Sequence, residues 1–157
     1  MVGLTGTFGS GKSTVGNFMK RLGARSVIDS DRIAHEVFRP DHALRRKIKS
    51  LFEMGSFSRR QIAKSVFSDA KKRKRLEAVI HPYVLKRIRQ EMNRIKNGVI
   101  VLEVPLLFEA HFDRMCDVTV SVLSGEKNIL KRLSRSGFSR MEVRSRLRAQ
   151  LPERIKK

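Results

Sequence analysis

Cysteine is almost absent from this chain of 157 residues: Cys116 stands alone, which excludes an internal disulfide and any multi-cysteine metal site and agrees with a reducing compartment. Cys116 lies just before an apolar strand-like run and reads as a small buried residue. The four histidines, at 35, 42, 81 and 111, show no metal-ligand spacing, so a zinc site is dismissed. No apolar run approaches the roughly 18 residues needed to cross a bilayer, and the chain starts on a strand-like run in place of a basic leader and an apolar signal core. A cytoplasmic protein without a membrane partner is expected. Internal repeats, low-complexity tracts and linkers are missing too. That leaves one ordinary globular domain, with 40% hydrophobic and 32% charged residues.

Acidic residues are scarce, 15 against 35 Lys and Arg, for a net charge of +20. Residues 41 to 96 hold 17 Lys and Arg against 5 Asp and Glu, and residues 125 to 157 hold 11 against 3, so these two stretches carry the whole surplus. Such a surplus suits a polyanionic substrate, nucleic acid or an anionic surface. The run Lys71-Lys72-Arg73-Lys74-Arg75 has no interleaved aromatics and leads into Leu76, Val79 and Ile80 at helical spacing. It reads better as a solvated helix face than as a nucleic-acid patch.

What the chain does have is a complete G-x-x-x-x-G-K-[ST] phosphate-binding loop, Gly6-Thr7-Phe8-Gly9-Ser10-Gly11-Lys12-Ser13, directly after the apolar run Met1-Val2-Gly3-Leu4. Glycines at 6, 9 and 11 let the backbone curl so that successive N–H groups face one concavity, where phosphate oxygens sit. Lys12 is expected to extend along the phosphates as a point charge, and the Ser13 hydroxyl is a hard oxygen ligand for Mg²⁺. Val15, Phe18, Met19 and Leu22 recur at helical spacing, so the loop opens onto an amphipathic helix whose N-terminus adds its partial positive charge. The dinucleotide fingerprint G-x-G-x-x-G fails at its last position, where Thr14 stands.

Strand-like runs recur at Ser26-Val27-Ile28, at residues 99–102 and at residues 118–123, with helical patterns between them. This order predicts an α/β fold on a parallel sheet with flanking helices, and directs attention to the residues after each strand. Asp29-Ser30-Asp31 follows the second run. Asp31 suits the orientation or deprotonation of an attacking hydroxyl opposite a γ-phosphate, or else Asp31 or Ser30 caps the next helix. Glu103-Val104-Pro105-Leu106-Leu107-Phe108-Glu109 follows the third. Glu103 occupies the place of the acidic residue that holds Mg²⁺ through water in such proteins, and Leu107 and Phe108 read by spacing as core. His81-Pro82 is expected at a helix junction, with the proline in the first turn of a helix that runs on through Ile95. Downstream, Arg132, Arg135, Arg140, Arg144, Arg146 and Arg148 lie on two helical segments broken at Ser136-Gly137-Phe138-Ser139. These arginines form either a mobile lid that closes over phosphates and excludes water, or an ordinary basic surface.

Taken in order, Gly3-Leu4-Thr5-Gly6 with Gly9-Ser10-Gly11-Lys12-Ser13-Thr14, Asp29-Ser30-Asp31-Arg32-Ile33-Ala34, Ile80-His81-Pro82, Val104-Pro105-Leu106-Leu107-Phe108-Glu109, then Arg132, Arg135-Ser136-Gly137-Phe138-Ser139 and Arg146 with Gln150, resemble the dephospho-coenzyme A kinase family along the whole chain. The resemblance implies a P-loop NTPase-like fold in a single kinase domain, with 41–96 as a helical acceptor-binding insertion and 125–150 as a lid. It implies ATP-dependent phosphorylation of the ribose 3′-hydroxyl of dephospho-CoA, the last step of coenzyme A biosynthesis, assisted by Mg²⁺. By position, Asp31 would be the base and Lys12 a catalytic phosphate clamp. ATP would be held by Gly6, Gly9, Ser10, Gly11, Lys12, Ser13 and Thr14, with Arg135 from the lid. The acceptor would meet Asp31, His81, Pro82, Leu107, Phe108 and Glu109, and the metal Ser13 and, through water, Glu103. Glu103 stands where the family often has Asp. Family members also continue past the Gln150 region into a final strand and helix, which are expected to be missing here. Without the resemblance, the loop and arginine hairpin suit equally another small-molecule or nucleoside monophosphate kinase. The basic helices would equally suit a nucleic-acid-binding protein with this loop, but neither rival explains the His-Pro and Pro-Leu-Leu-Phe-Glu elements.

Overall fold

The structure, a computed structural model, describes residues 1–37, 42–148 and 150. Their contacts gather into two compact units, one built from Met1–Asp29 with the later part of the chain from Ile95, the other from Ser30–Arg94. The second unit starts where the second strand has stopped at Asp29, and its first helix packs on its own longest helix.

The first unit carries a four-stranded parallel sheet of β1 (Val2–Gly6), β2 (Ser26–Asp29), β3 (Ile100–Glu103) and β4 (Val118–Val122), in the spatial order β2-β3-β1-β4. Its short β-branched runs are those the sequence predicts, buried at the centre of the sheet and partly exposed on the edge strand β4. Register brings the carboxyl ends level: Leu4 pairs with Glu103, Glu103 with Asp29, and Gly6 with Val122. Around the sheet lie α1 (Lys12–Arg21), α6 (Glu126–Ser134) and α7 (Arg140–Arg148). Leu4, Ile28, Val101, Leu102, Leu107, Ile129 and Val143 form its core.

The stripe expected on α1 is not the buried one. Phe18 and Leu22 are 54% and 87% exposed, and the residues of α1 that are buried are Lys12 and Gly16. Gly16 explains this: a Cβ there would stand 3.3 Å from Val27 Cγ1, 3.4 Å from Glu103 Oε2 and 3.5 Å from Leu4 Cδ2. The helix therefore closes on the sheet through its smallest residue, and Phe18 instead lies beneath the Arg21 guanidinium.

The second unit is helical: α2 (Ser30–Val37), α3 (His42–Leu51), α4 (Arg59–Ser68) and α5 (Ala70–Asn93). Ile33, Leu44, Ile48, Ile62, Val84 and Ile88 fill its interior. Asp69 caps α5 by accepting from the N–H groups of Lys71 and Lys72, which holds its carboxyl below the usual aspartate range. The junction expected at His81-Pro82 is absent. The helix runs unbroken through Pro82 for 24 residues and ends at Asn93. An interior proline costs about 3 kcal/mol. Burial of Val84 and Ile88 just beyond it, at roughly 1.5–3 kcal/mol each, together with packing against α2, α3 and α4, offsets that penalty.

Candidate active site

The loop between β1 and α1 has the curl its glycines predict, with Gly9 at φ 74° and Gly11 at φ 104°, both in the left-handed region. Lys12 is buried and turns back across the loop, its Nζ donating to the carbonyls of Gly6 and Thr7 at 3.0 Å each. This differs from the extended reach expected of it, because a buried ammonium must find acceptors within the protein. The Thr7 and Ser10 hydroxyls are buried, and among the described residues neither has a hydrogen-bond partner. An orphan hydroxyl costs roughly 1–3 kcal/mol until a polar group meets it.

Glu103, at the end of β3, is 6% exposed, and its Oε1 accepts from Ser13 Oγ at 2.8 Å. A hard hydroxyl and a buried carboxylate thus share one spot at the start of α1, a donor pair that fits Mg²⁺. On the other flank, α6 lies directly on the loop. A Cβ at Gly9 would stand 2.7 Å from Leu133 Cδ1 and 3.1 Å from Ile129 Cγ2. Arg132 Nη1 donates to the Gly9 carbonyl at 2.6 Å. Backbone amides, a lysine, an arginine and a metal-type oxygen pair converge on one loop, an arrangement able to hold a polyphosphate and stabilise charge on a transferring phosphoryl group.

The family model described as Dephospho-CoA kinase matches residues 1–157, the whole chain. The chain belongs to the dephospho-CoA kinase family. Among its relatives is a dephospho-CoA kinase of Carboxydothermus hydrogenoformans, 40% identical over 168 residues that cover 99% of this chain and 81% of the relative. A crystal structure from Thermus thermophilus aligns with a TM-score of 0.84 at 38% identity, over 99% of this chain and 82% of that one. The dephospho-CoA kinase of Campylobacter jejuni aligns with a TM-score of 0.59 at 25% identity, over 95% of this chain and 79% of its own.

Of the residues that the kinase resemblance singles out, the first unit brings together Gly6, Gly9, Ser10, Gly11, Lys12, Ser13, Thr14 and Glu103. Arg135 ends α6 as its C-cap and is exposed. Leu107 is fully buried and packs near Gly3, while Phe108 and Glu109 are half-buried in the turns after β3. In the second unit, His81 is half-buried and Pro82 exposed on α5, and Asp31 is exposed in the first turn of α2, its backbone carbonyl meeting His35 Nδ1 at 2.9 Å. The sequence pattern singles out Arg135 for ATP and gives no role to Phe8, whose N–H is taken by Gln150 Oε1 at 2.8 Å. The only sequence signal for Arg132 was its place in the family pattern, and Phe8 had none.

Proposed function

We propose that this chain transfers the γ-phosphoryl group of ATP to the ribose 3′-hydroxyl of dephospho-CoA, giving coenzyme A. It would act as a single kinase domain in which residues 41–96 help receive the acceptor and 125–150 close as a lid. The observation that carries this reading is the joint placement of the glycine loop, Lys12 and the Ser13–Glu103 pair at the carboxyl edge of a parallel sheet. The unsatisfied Thr7 and Ser10 hydroxyls support it, since a phosphate-bearing ligand supplies the partners they lack. Loop amides from Gly9 to Thr14 and the Lys12 ammonium bind the β- and γ-phosphates, with Lys12 exchanging the Gly6 and Thr7 carbonyls for phosphate oxygens. Ser13 and Glu103 would hold Mg²⁺, which neutralises phosphate charge when bound.

Asp31 accepts the proton of the 3′-hydroxyl and orients it for in-line attack. His81, Pro82, Leu107, Phe108 and Glu109 belong to the elements that receive the acceptor, the buried Leu107 by packing beneath its neighbours. Arg135, with Arg132, supplies positive charge from the lid. The test incubates the full chain with Mg²⁺, ATP and dephospho-CoA and looks for coenzyme A by mass spectrometry, with AMP as the competing acceptor. Asp31→Asn should lower kcat by about 10²–10⁴-fold, the usual contribution of a positioned base, with ATP affinity kept. Near-full turnover in that variant, or preference for AMP, would reject the assignment.

A further inference from the structure

Phe8, in the middle of the phosphate-binding loop, and Phe138, in the turn between α6 and α7, meet edge to face with centroids 5.5 Å apart. The Arg146 guanidinium carbon of α7 lies 4.7 Å from the centroid of each ring. Gln150, four residues further on, takes the Phe8 N–H at 2.8 Å. These contacts add to the buried contacts of α6 and α7, where Ile129 and Val143 are each 1% exposed. The Arg146–Phe138 stack lies within the hairpin, and the contacts of Phe138, Arg146 and Gln150 with Phe8 reach from hairpin to loop.

The geometry points to Arg146 as a positioning residue that, with Phe8 and Phe138, clamps the α6–α7 hairpin onto the phosphate-binding loop and so registers Arg132 on the Gly9 carbonyl. This rests on the reading of the loop as the ATP site. A cation shared between two aromatic faces holds an orientation as well as a position, because a planar guanidinium stacks in a way an ammonium does not. Arg146 thereby ties α7 to the loop, beside the contacts that α6 makes with Gly9. Loosening α7 lets α6 slide, which moves Arg132 and frees the backbone at Gly9. The clamp touches nucleotide affinity and leaves the acceptor alone.

The full chain with Arg146→Ala or Phe8→Leu should show a KM for ATP raised about 3- to 30-fold, the range that loss of a cation–π contact gives. The KM for dephospho-CoA should stay within about two-fold, and Phe8→Tyr, which keeps the ring face, should restore ATP affinity. The double variant Phe8→Leu/Arg146→Ala should raise the KM by less than the product of the two single effects, since the two substitutions share the Phe8–Arg146 contact. Amide exchange at residues 8–12, measured without nucleotide, should quicken in both single variants. A KM for ATP within two-fold of the parent with unchanged exchange overturns the clamp, and so does a double variant whose effect is the product of the two. Should Arg146→Ala fail to fold, Phe8→Leu against Phe8→Tyr decides the matter by the same criteria. A parent that binds no ATP, with faster exchange in the variants, would sink the nucleotide reading and keep the clamp.

Discussion

Gly9→Ala isolates the contact between the phosphate-binding loop and α6, and its effect can be worked out from two separate penalties. The first is backbone strain. At φ 74° an L-residue sits in the left-handed region, at about 1–2 kcal/mol. The second is overpacking: the new methyl would lie 2.7 Å from Leu133 Cδ1 and 3.1 Å from Leu133 Cγ and Ile129 Cγ2. Leu133 is half-buried and can swing, but Ile129 is 1% exposed and stiff at its branched Cβ, so relief is incomplete and about 1–3 kcal/mol is lost. Together these give about 2–5 kcal/mol, a large share of the roughly 5–15 kcal/mol that holds a domain folded. Urea denaturation followed by circular dichroism reads the loss. Gly137→Ala is the control, because Gly137 has φ 84° and nothing within 4 Å of the added Cβ, so it should show the strain alone. Leu133→Ala added to Gly9→Ala should cost less than the sum of the two singles by about 1–2 kcal/mol, since it empties the space the methyl needs. If Gly9→Ala is no worse than Gly137→Ala, or adds simply with Leu133→Ala, then α6 does not press on the loop and the described geometry is wrong.

Pro82→Ala should raise stability by about 2 kcal/mol: relief of the ring clash and the restored helical hydrogen bond together are worth about 3 kcal/mol and greater freedom of the unfolded chain takes back about 1. Pro82 is exposed, so no burial is lost, and a variant no more stable than the parent in thermal denaturation would show that α5 needs the proline's geometry. Burial pushes the Cys116 thiol above the usual cysteine range, and its Sγ donates to the Phe112 carbonyl at 3.4 Å. Alkylation by iodoacetamide at pH 8 should therefore be slower than that of free cysteine, rise with pH to a midpoint above the ordinary thiol value, and recover the free rate in urea. A native-state rate equal to that of free cysteine would refute this.

The curl of the phosphate-binding loop was legible because it is local. A loop of eight residues carries its own glycines, lysine and serine, and four β-branched runs mark the strands that present it. What was not legible depends on partners distant in the chain. Pro82 follows a local rule that favours a helix start, and tertiary packing of α5 against three other helices overrode it. Phe18 and Leu22 fit a helical stripe, yet Gly16, which the stripe ignores, sets the face of α1 that meets the sheet. The family pattern points to Arg135 for ATP, and it is the docking of α6 that sets Arg132 on the loop, its partner Gly9 lying 123 residues away.

Register shows the same division in its sharpest form. In a strand buried on both faces, hydrophobic alternation carries no information about which residue pairs with which, and a slip of one position would turn every side chain to the opposite face. Val101, Leu102 and Glu103 are all buried, so the apolar pattern of β3 cannot by itself decide where the carboxylate points. The ladder decides it. Leu4 pairs with Glu103, the Val104 N–H is held by the Leu4 carbonyl at 2.9 Å, and the Glu103 carboxylate then comes within 2.8 Å of Ser13. Residue types thus name the chemistry available to this chain, and the pairing of β1 with β3 determines whether those residues meet.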